Sequence, residues 1–304
     1  MIQRRTHLPE PMPAAPSQSA STDARFDPRP IVRRAWAANW SLTLLGLAML
    51  PLLLICLAGL ALDPRMITGA PAWLKPMKFA ISTAIYAFTL AWVFTYLPDW
   101  PRTRWLVGRG TAVAFVLELL MIGGQAYRGT TSHFNVATPF DAVIFISMGT
   151  IIGLQTLLAA WLAVVLWRQR FADRALGWAL RLGLVVTVLG ASTGPLMTRP
   201  TAAQLTEART THRMAIAGAH TVGAPDGGPG LPVTGWSTQH GDLRVPHFVG
   251  LHAWQVLPLF VMVALGGLAD RVRTRLAVAA GVAYGLVFVA LVVQAFRGQP
   301  LLPL

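Results

Sequence analysis

Apolar residues run along this chain in long stretches that are hydrophobic on every side, without the one-faced period of a soluble amphipathic helix or strand. Seven stretches qualify as membrane spans, at residues 40–62, 73–97, 105–126, 141–167, 176–197, 248–268 and 276–296. A helix needs about 20 mostly apolar residues to cross a bilayer. Backbone groups in lipid must pair internally, so the spans are expected to be helices. Trp40, Trp73, Trp105, Trp167 and Trp178 lie near the predicted ends, where interfacial anchors belong. The expected fold is an all-α membrane bundle of about seven helices.

Composition agrees with that pattern. The chain is 54% hydrophobic and 12% charged, against about 25% charged residues in an average soluble domain. The net charge of +13 does not point to nucleic acid, because the arginines sit in short loops between spans. Membrane lipids are the expected partners of such loops. The single cysteine, Cys56, lies in an apolar run, reads as a small core hydrophobe and says nothing about redox compartment.

Residues 1–34 are read as a disordered tail, rich in Pro, Ala, Ser and Arg and without the hydrophobic core of a signal peptide. Residues 35–304 form the membrane domain. Within it the connection 198–247 is long, which marks a functional or disordered loop; an ordered lid is expected, with a short surface helix in 202–219. One pentapeptide recurs: Gln125-Ala-Tyr-Arg-Gly129 ends span three and Gln294-Ala-Phe-Arg-Gly298 ends span seven. Internal repeats are frequent in transporter bundles, and coincidence competes over so short a match.

Basic clusters such as Arg102, Arg104 and Arg109, or Arg271, Arg273 and Arg275, fall on one side, and most of the 25 basic residues join them if the N-terminus is cytoplasmic. The positive-inside rule then predicts N-in and C-out. The remaining cations lie outside, on the same side as three polar segments: WLKPMKF (73–79), QAYRGTTSHFN (125–135) and DGGPGLPVTGWSTQHGDLRVPHFVGLH (226–252). Polar groups at membrane depth are costly and usually functional.

Lys75 and Lys78 flank Pro76 at a predicted helix start, where free N–H groups and the dipole already favour anions; snorkelling into headgroups is the competing reading. Arg128 and Arg297 offer planar forks suited to carboxylate or phosphate, or simply cap their own helices. Gln125, His133, Asn135, Asp242, Arg244, His252 and Gln255 complete a candidate ligand-binding set. His133, His240, Asp242, His247 and His252 are candidate metal ligands, although His247 and His252 stand about 140° apart on one helix and would need Pro246 to break it. Haem b needs paired histidines at matching depth; only His252 is clearly within a span, and no CxxCH is present for covalent haem. Glu118 lies mid-span in span three, a candidate for proton coupling or for helix–helix hydrogen bonding.

Together the segments WLKPMKFAIS, QAYRGTTSHFNVATPFD and DGGPGLPVTGWSTQHGDLRVPHFVGLH resemble an uncharacterised group of bacterial polytopic inner-membrane proteins. The resemblance implies a bacterial inner-membrane location and no particular catalysis. The expectation is therefore a periplasm-facing polar pocket that binds or transports an anionic small molecule or lipid headgroup. A metal- or haem-dependent membrane enzyme and an assembly subunit of a larger complex are the alternatives. Oligomeric state is not legible.

Overall fold

The computed structural model describes residues 29–303. Two helices open it, α1 (Arg29–Ala38) and α2 (Trp40–Leu62), followed by a ribbon of β1 (Met66–Ile67) and β2 (Ala70–Pro71). Next come α3 (Leu74–Phe94), α4 (Pro101–Tyr127), α5 (Pro139–Arg168), α6 (Arg174–Ser192), the single turn α7 (Gly194–Met197) and α8 (Ala202–Thr211). A second ribbon, β3 (Thr221–Val222) with β4 (Gly241–Asp242), leads into α9 (Arg244–Leu251), α10 (Ala253–Val263) and α11 (Asp270–Phe296). Among the described residues six helical runs are long and apolar enough to cross a membrane, or up to seven if α9 and α10 count as one bent span. Leu54, Leu120, Leu157 and Leu286 point outward from four of them, an apolar exterior compatible with lipid.

Most of the predicted tail, residues 1–28, lies outside the described residues. Residues 29–34 correct the prediction: they are helical. Val32, Ala35 and Asn39 share one face, and Ala35 packs into the main core. That core joins Leu90, Phe94 and Leu97 near the end of α3 to Leu162 and Leu166 of α5 and to Leu180 and Leu184 of α6.

Local chemistry sets the helix ends. Asn39 accepts from Leu42 N at 3.0 Å to start α2, and its amide donates to Arg104 O of α4 at 3.0 Å. Thr138 caps α5 ahead of Pro139, and Asp173 caps α6. Asp173 also pairs with Arg273 at 2.8 Å, tying the start of α11 to the start of α6.

The sixth predicted span is broken, with α9 and α10 meeting at 46°. The break falls at His252, not at Pro246, which sits inside α9. Pro258 lies further on, inside α10, where it leaves the carbonyl of Trp254 without an N–H partner. At the break itself neighbouring side chains satisfy the freed backbone groups. Thr187 of α6 donates to Gly250 O at 3.2 Å and accepts from Trp254 N at 3.3 Å, while Tyr284 donates to Val249 O at 2.8 Å. The long connection is ordered, and its last residues, 244–247, already belong to α9.

The repeated pentapeptide has one geometry in both places. Gly129 and Gly298 adopt φ of 75° and 71°, and Thr130 N and Gln299 N bond back to Gln125 O and Gln294 O. This is a Schellman ending, which the left-handed glycine permits. In each copy the glutamine amide also donates to a carbonyl six residues on, Thr131 O and Pro300 O. The helix starts share a feature too: α3 and α9 each follow a two-stranded ribbon and carry a cation and a proline in the first turn, Lys75 and Pro76 in one and Arg244 and Pro246 in the other.

Candidate functional site

The three polar segments meet at one end of the bundle, called here the motif end. Lys75 Nζ lies 3.0 Å from His133 Nδ1, joining the first segment to the second. Lys78 Nζ donates to Val233 O at 2.6 Å, joining the first to the third. Phe134 stacks edge-on with His220, their centroids 4.8 Å apart, and Ala217 N bonds to Phe134 O.

Two of the five predicted anion-binding cations, Arg128 and Arg244, are matched by carboxylates. Arg128 pairs with Asp141 at 2.6 Å and also donates to Gln125 Oε1. Asp141, 4% exposed, accepts further bonds from the Gln125 amide at 2.8 Å and from Thr138 Oγ1 at 2.6 Å. Arg244 forks onto Asp242 and reaches Gly235 O. Asp63 and Arg65 repeat the same Asp-x-Arg clasp at the first ribbon, where Arg65 also caps Tyr127 O at 2.7 Å. Arg297 is exposed at the end of α11. Asn135 folds its own loop through Thr130 Oγ1 and Ala137 N. Asp242 is among the candidates that the sequence offers, whereas Asp141 and Asp63 are not. An Asp three residues after a capping Thr, at a membrane helix start, was the available signal for Asp141.

Lys75, Lys78 and Arg297 have no carboxylate partner among the described residues; Lys78 is held by the Val233 carbonyl, Arg297 is exposed, and Lys75 is half-buried. Among the described residues no carboxylate lies within ion-pairing distance of it, and its one hydrogen-bond partner is His133 Nδ1. An ammonium carries three donors, so two are left without a protein partner. Ser132 Oγ sits 3.1 Å from the same ring nitrogen. An Nδ1 that accepts from both neighbours places the ring proton on Nε2. Burial first, and then the charge of Lys75, hold His133 well below the ordinary histidine range. The folded protein therefore binds a proton at His133 less readily than the unfolded chain. Stability from this residue is present above the ordinary histidine value of about 6.5 and is lost as pH falls below it. Unfolding in detergent followed from pH 7.5 to 5 is expected to show that loss, and His133→Gln is expected to flatten it.

Lys75, Tyr86, His133 and His247 are half-buried. Lys75, Phe79 and Tyr86 share one face of α3; Phe79 lies 6.0 Å from His133. Tyr86 sits 5.1 Å from Phe115 of α4 and 5.2 Å from Trp254 at the broken helix, and accepts from the Gln155 amide at 3.2 Å. Phe115, Glu118, Ile122 and Gln125 likewise share one face of α4. Glu118 is 2% exposed, and its Oε1 has no partner; Gln155 Oε1, Trp254 Nε1 and Gln255 Oε1 are also buried without one. They are four of the seven buried side-chain polar atoms without a partner among the described residues.

The predicted metal set is not assembled. Among the described residues no three of His, Cys, Asp and Glu gather closely enough to hold an ion. Asp242 is engaged by Arg244 and Ser237 N, His247 Nδ1 sits 2.9 Å from Gly190 O, and His252 Nδ1 sits 2.8 Å from Phe248 O. The break between α9 and α10 removes His247 and His252 from a common helix.

The loop before α9 is held by its own chemistry. Burial opposes ionisation of Asp226, but bonds from the His220 ring and from the backbone of His220 and Thr221 hold its carboxyl below the usual range. A cleft of about 370 Å³ opens within this loop, beside Asp226, Ser237, His240 and Arg244, and lies apart from the Lys75–His133 contact. No protein-family model, curated protein or solved structure matches the chain. Its helices are compatible with an integral, multi-pass membrane protein.

Proposed function

We propose that this protein binds, and in the simplest scheme transports, an anionic small molecule or lipid headgroup in a polar chamber at the motif end, which faces the periplasm of a bacterial inner membrane in the N-in orientation. The observation that carries this reading is Lys75, an enclosed ammonium with two donors free and no carboxylate in reach. An uncompensated charge in a low-dielectric setting is costly, and a bound anion supplies what the protein withholds. The half-helix junction at His252 adds to the reading, since broken helices at membrane depth are tolerated where they line a cavity or substrate site. Lys78 and Arg244 act on the lid, holding Val233 O and Gly235 O over the motif end. His133 orients the Lys75 ammonium.

The test is retention of the ligand that accompanies the protein out of the membrane, read by native mass spectrometry. Lys75→Met is expected to lower retention at least tenfold and Lys75→Arg to restore part of it. Unchanged occupancy in Lys75→Met would remove the basis of this reading. A metal-dependent enzyme is the weaker reading, because its ligands are dispersed.

A further inference from the structure

The chain has two lysines, Lys75 and Lys78, and both sit in the first turns of α3. The anion site uses the first and leaves the second to another task. Lys78 Nζ donates to Val233 O at 2.6 Å, at the tip of a small hairpin. Within the hairpin Gly230 pairs with Ser237, and Leu231 N bonds to Trp236 O and Gly235 N to Leu231 O, both at 2.8 Å. Its base is anchored. Ser237 N donates to Asp242 at 2.8 Å, Arg244 holds Gly235 O at 2.6 Å, and the Trp236 ring lies 5.5 Å from that of Phe248. The tip is held by far less. Val233 is 80% exposed, and among the described residues the bond from Lys78 is the one that ties residues 231–234 to anything outside the hairpin. Lys78 stands three residues beyond Lys75, about 60° further round α3 and less than one turn away. The latched tip therefore lies against the turn that carries the anion site.

The carbonyl that Lys78 holds belongs to a strained residue. Val233 has a φ of 67°, in the left-handed region where a β-branched side chain is a genuine outlier. Its exposed side chain gains no packing in return. The strain opposes the latched form, and a hydrogen bond from an ammonium supports it. Two opposed contributions on one exposed residue make a tip that changes state readily. We propose that residues 231–235 form a strap over the Lys75 site, with the Lys78–Val233 bond as its latch. Latched, the strap holds Val233 in its strained form and covers the turn that carries Lys75. Released, Val233 returns to negative φ, its carbonyl leaves Lys78, and the way to Lys75 is open. Ligand enters and leaves in the released form. This rests on the anion-site reading and supplies the regulation of that site.

The two lysines supply the readout, since the chain carries no other side-chain amine. The full-length protein in phosphatidylcholine nanodiscs is treated with sulfosuccinimidyl acetate, a water-soluble acetylating reagent. Acetylation of Lys75 is followed over time by peptide mass spectrometry. The strap is altered at position 233 alone, so both lysines stay and no core is disturbed. Val233→Gly accepts positive φ without strain and keeps the carbonyl; it should slow Lys75 acetylation about tenfold relative to wild type. Val233→Pro fixes φ at about −65° and cannot latch; it should speed the reaction about tenfold or more. Val233→Asn tolerates the left-handed region while keeping a side chain. It should follow Val233→Gly, which separates strain from flexibility. In Lys78→Met the residue at 233 should no longer matter, because the latch on which it acts is gone. Equal Lys75 rates in wild type, Val233→Gly and Val233→Pro overturn the strap and leave the anion site standing, since ligand retention in Lys75→Met tests that site separately. A difference between Gly and Pro at 233 that persists in Lys78→Met overturns Lys78 as the latch.

Discussion

Replacing Asp141 with alanine is expected to destabilise the protein by about 3 kcal/mol, measured by reversible unfolding in mild detergent. One carboxylate gathers Arg128, the Gln125 amide and the Thr138 hydroxyl, and it sits in the first turn of α5. Hydrogen bonds to a charged group contribute about 1.5–3 kcal/mol each when buried. The figure is held near the lower end because the Arg128 side chain is 41% exposed and can rehydrate. The loss also loosens the connection between α4 and α5, which carries His133 toward Lys75. Arg128→Ala should cost less than Asp141→Ala, since Gln125 and Thr138 still satisfy the carboxylate. The double variant should cost less than the sum of the two, the signature of a direct pair. Strict additivity would return Arg128 to the role that the sequence suggested for it, a cation free to hold ligand.

The second large effect is expected where α6 crosses the broken helix. A Cβ placed on Gly190 would lie 2.6 Å from Gly250 Cα and 2.8 Å from Leu251 N, and one on Gly250 would lie 2.5 Å from Gly190 Cα. Two backbones are in contact there, and no side chain can move aside. Close glycine contacts of this kind hold membrane helices together by van der Waals packing. Gly190→Val is expected to cost about 3 kcal/mol or more, and to disturb Thr187, which satisfies the backbone at the break one turn earlier. Gly149→Ala and Gly153→Ala in α5 are the controls: open space surrounds both positions, so their effect should be near zero or slightly stabilising. A tolerant Gly190→Val protein would mean that α6 and α9 do not meet this closely.

Several parts of this protein were legible in its sequence. The spans were, because lipid demands continuous apolar length, and residues 40–62 were read to the residue. The repeated Gln-Ala-x-Arg-Gly was legible as a helix ending, because a glycine after a basic residue is a local signal that needs no tertiary partner. The helical start of the chain at Arg29 was less so, since Val32 and Ala35 are too few to signal without the α2 and α3 surfaces they cover.

What tertiary structure decided was charge pairing and depth. Arg128 looks like a ligand group until Asp141 is found beside it, and no spacing rule couples residues 13 apart across a loop. Lys75 gained its importance the opposite way, by what it lacks. The backbone groups at the His252 kink find their partners in Thr187 and Tyr284, on two other helices. A sequence records which groups a membrane protein carries to one end of its bundle. Only the packed helices determine which of those groups neutralise one another and which remain for a ligand, because that balance is settled over a few ångströms between residues far apart in the chain.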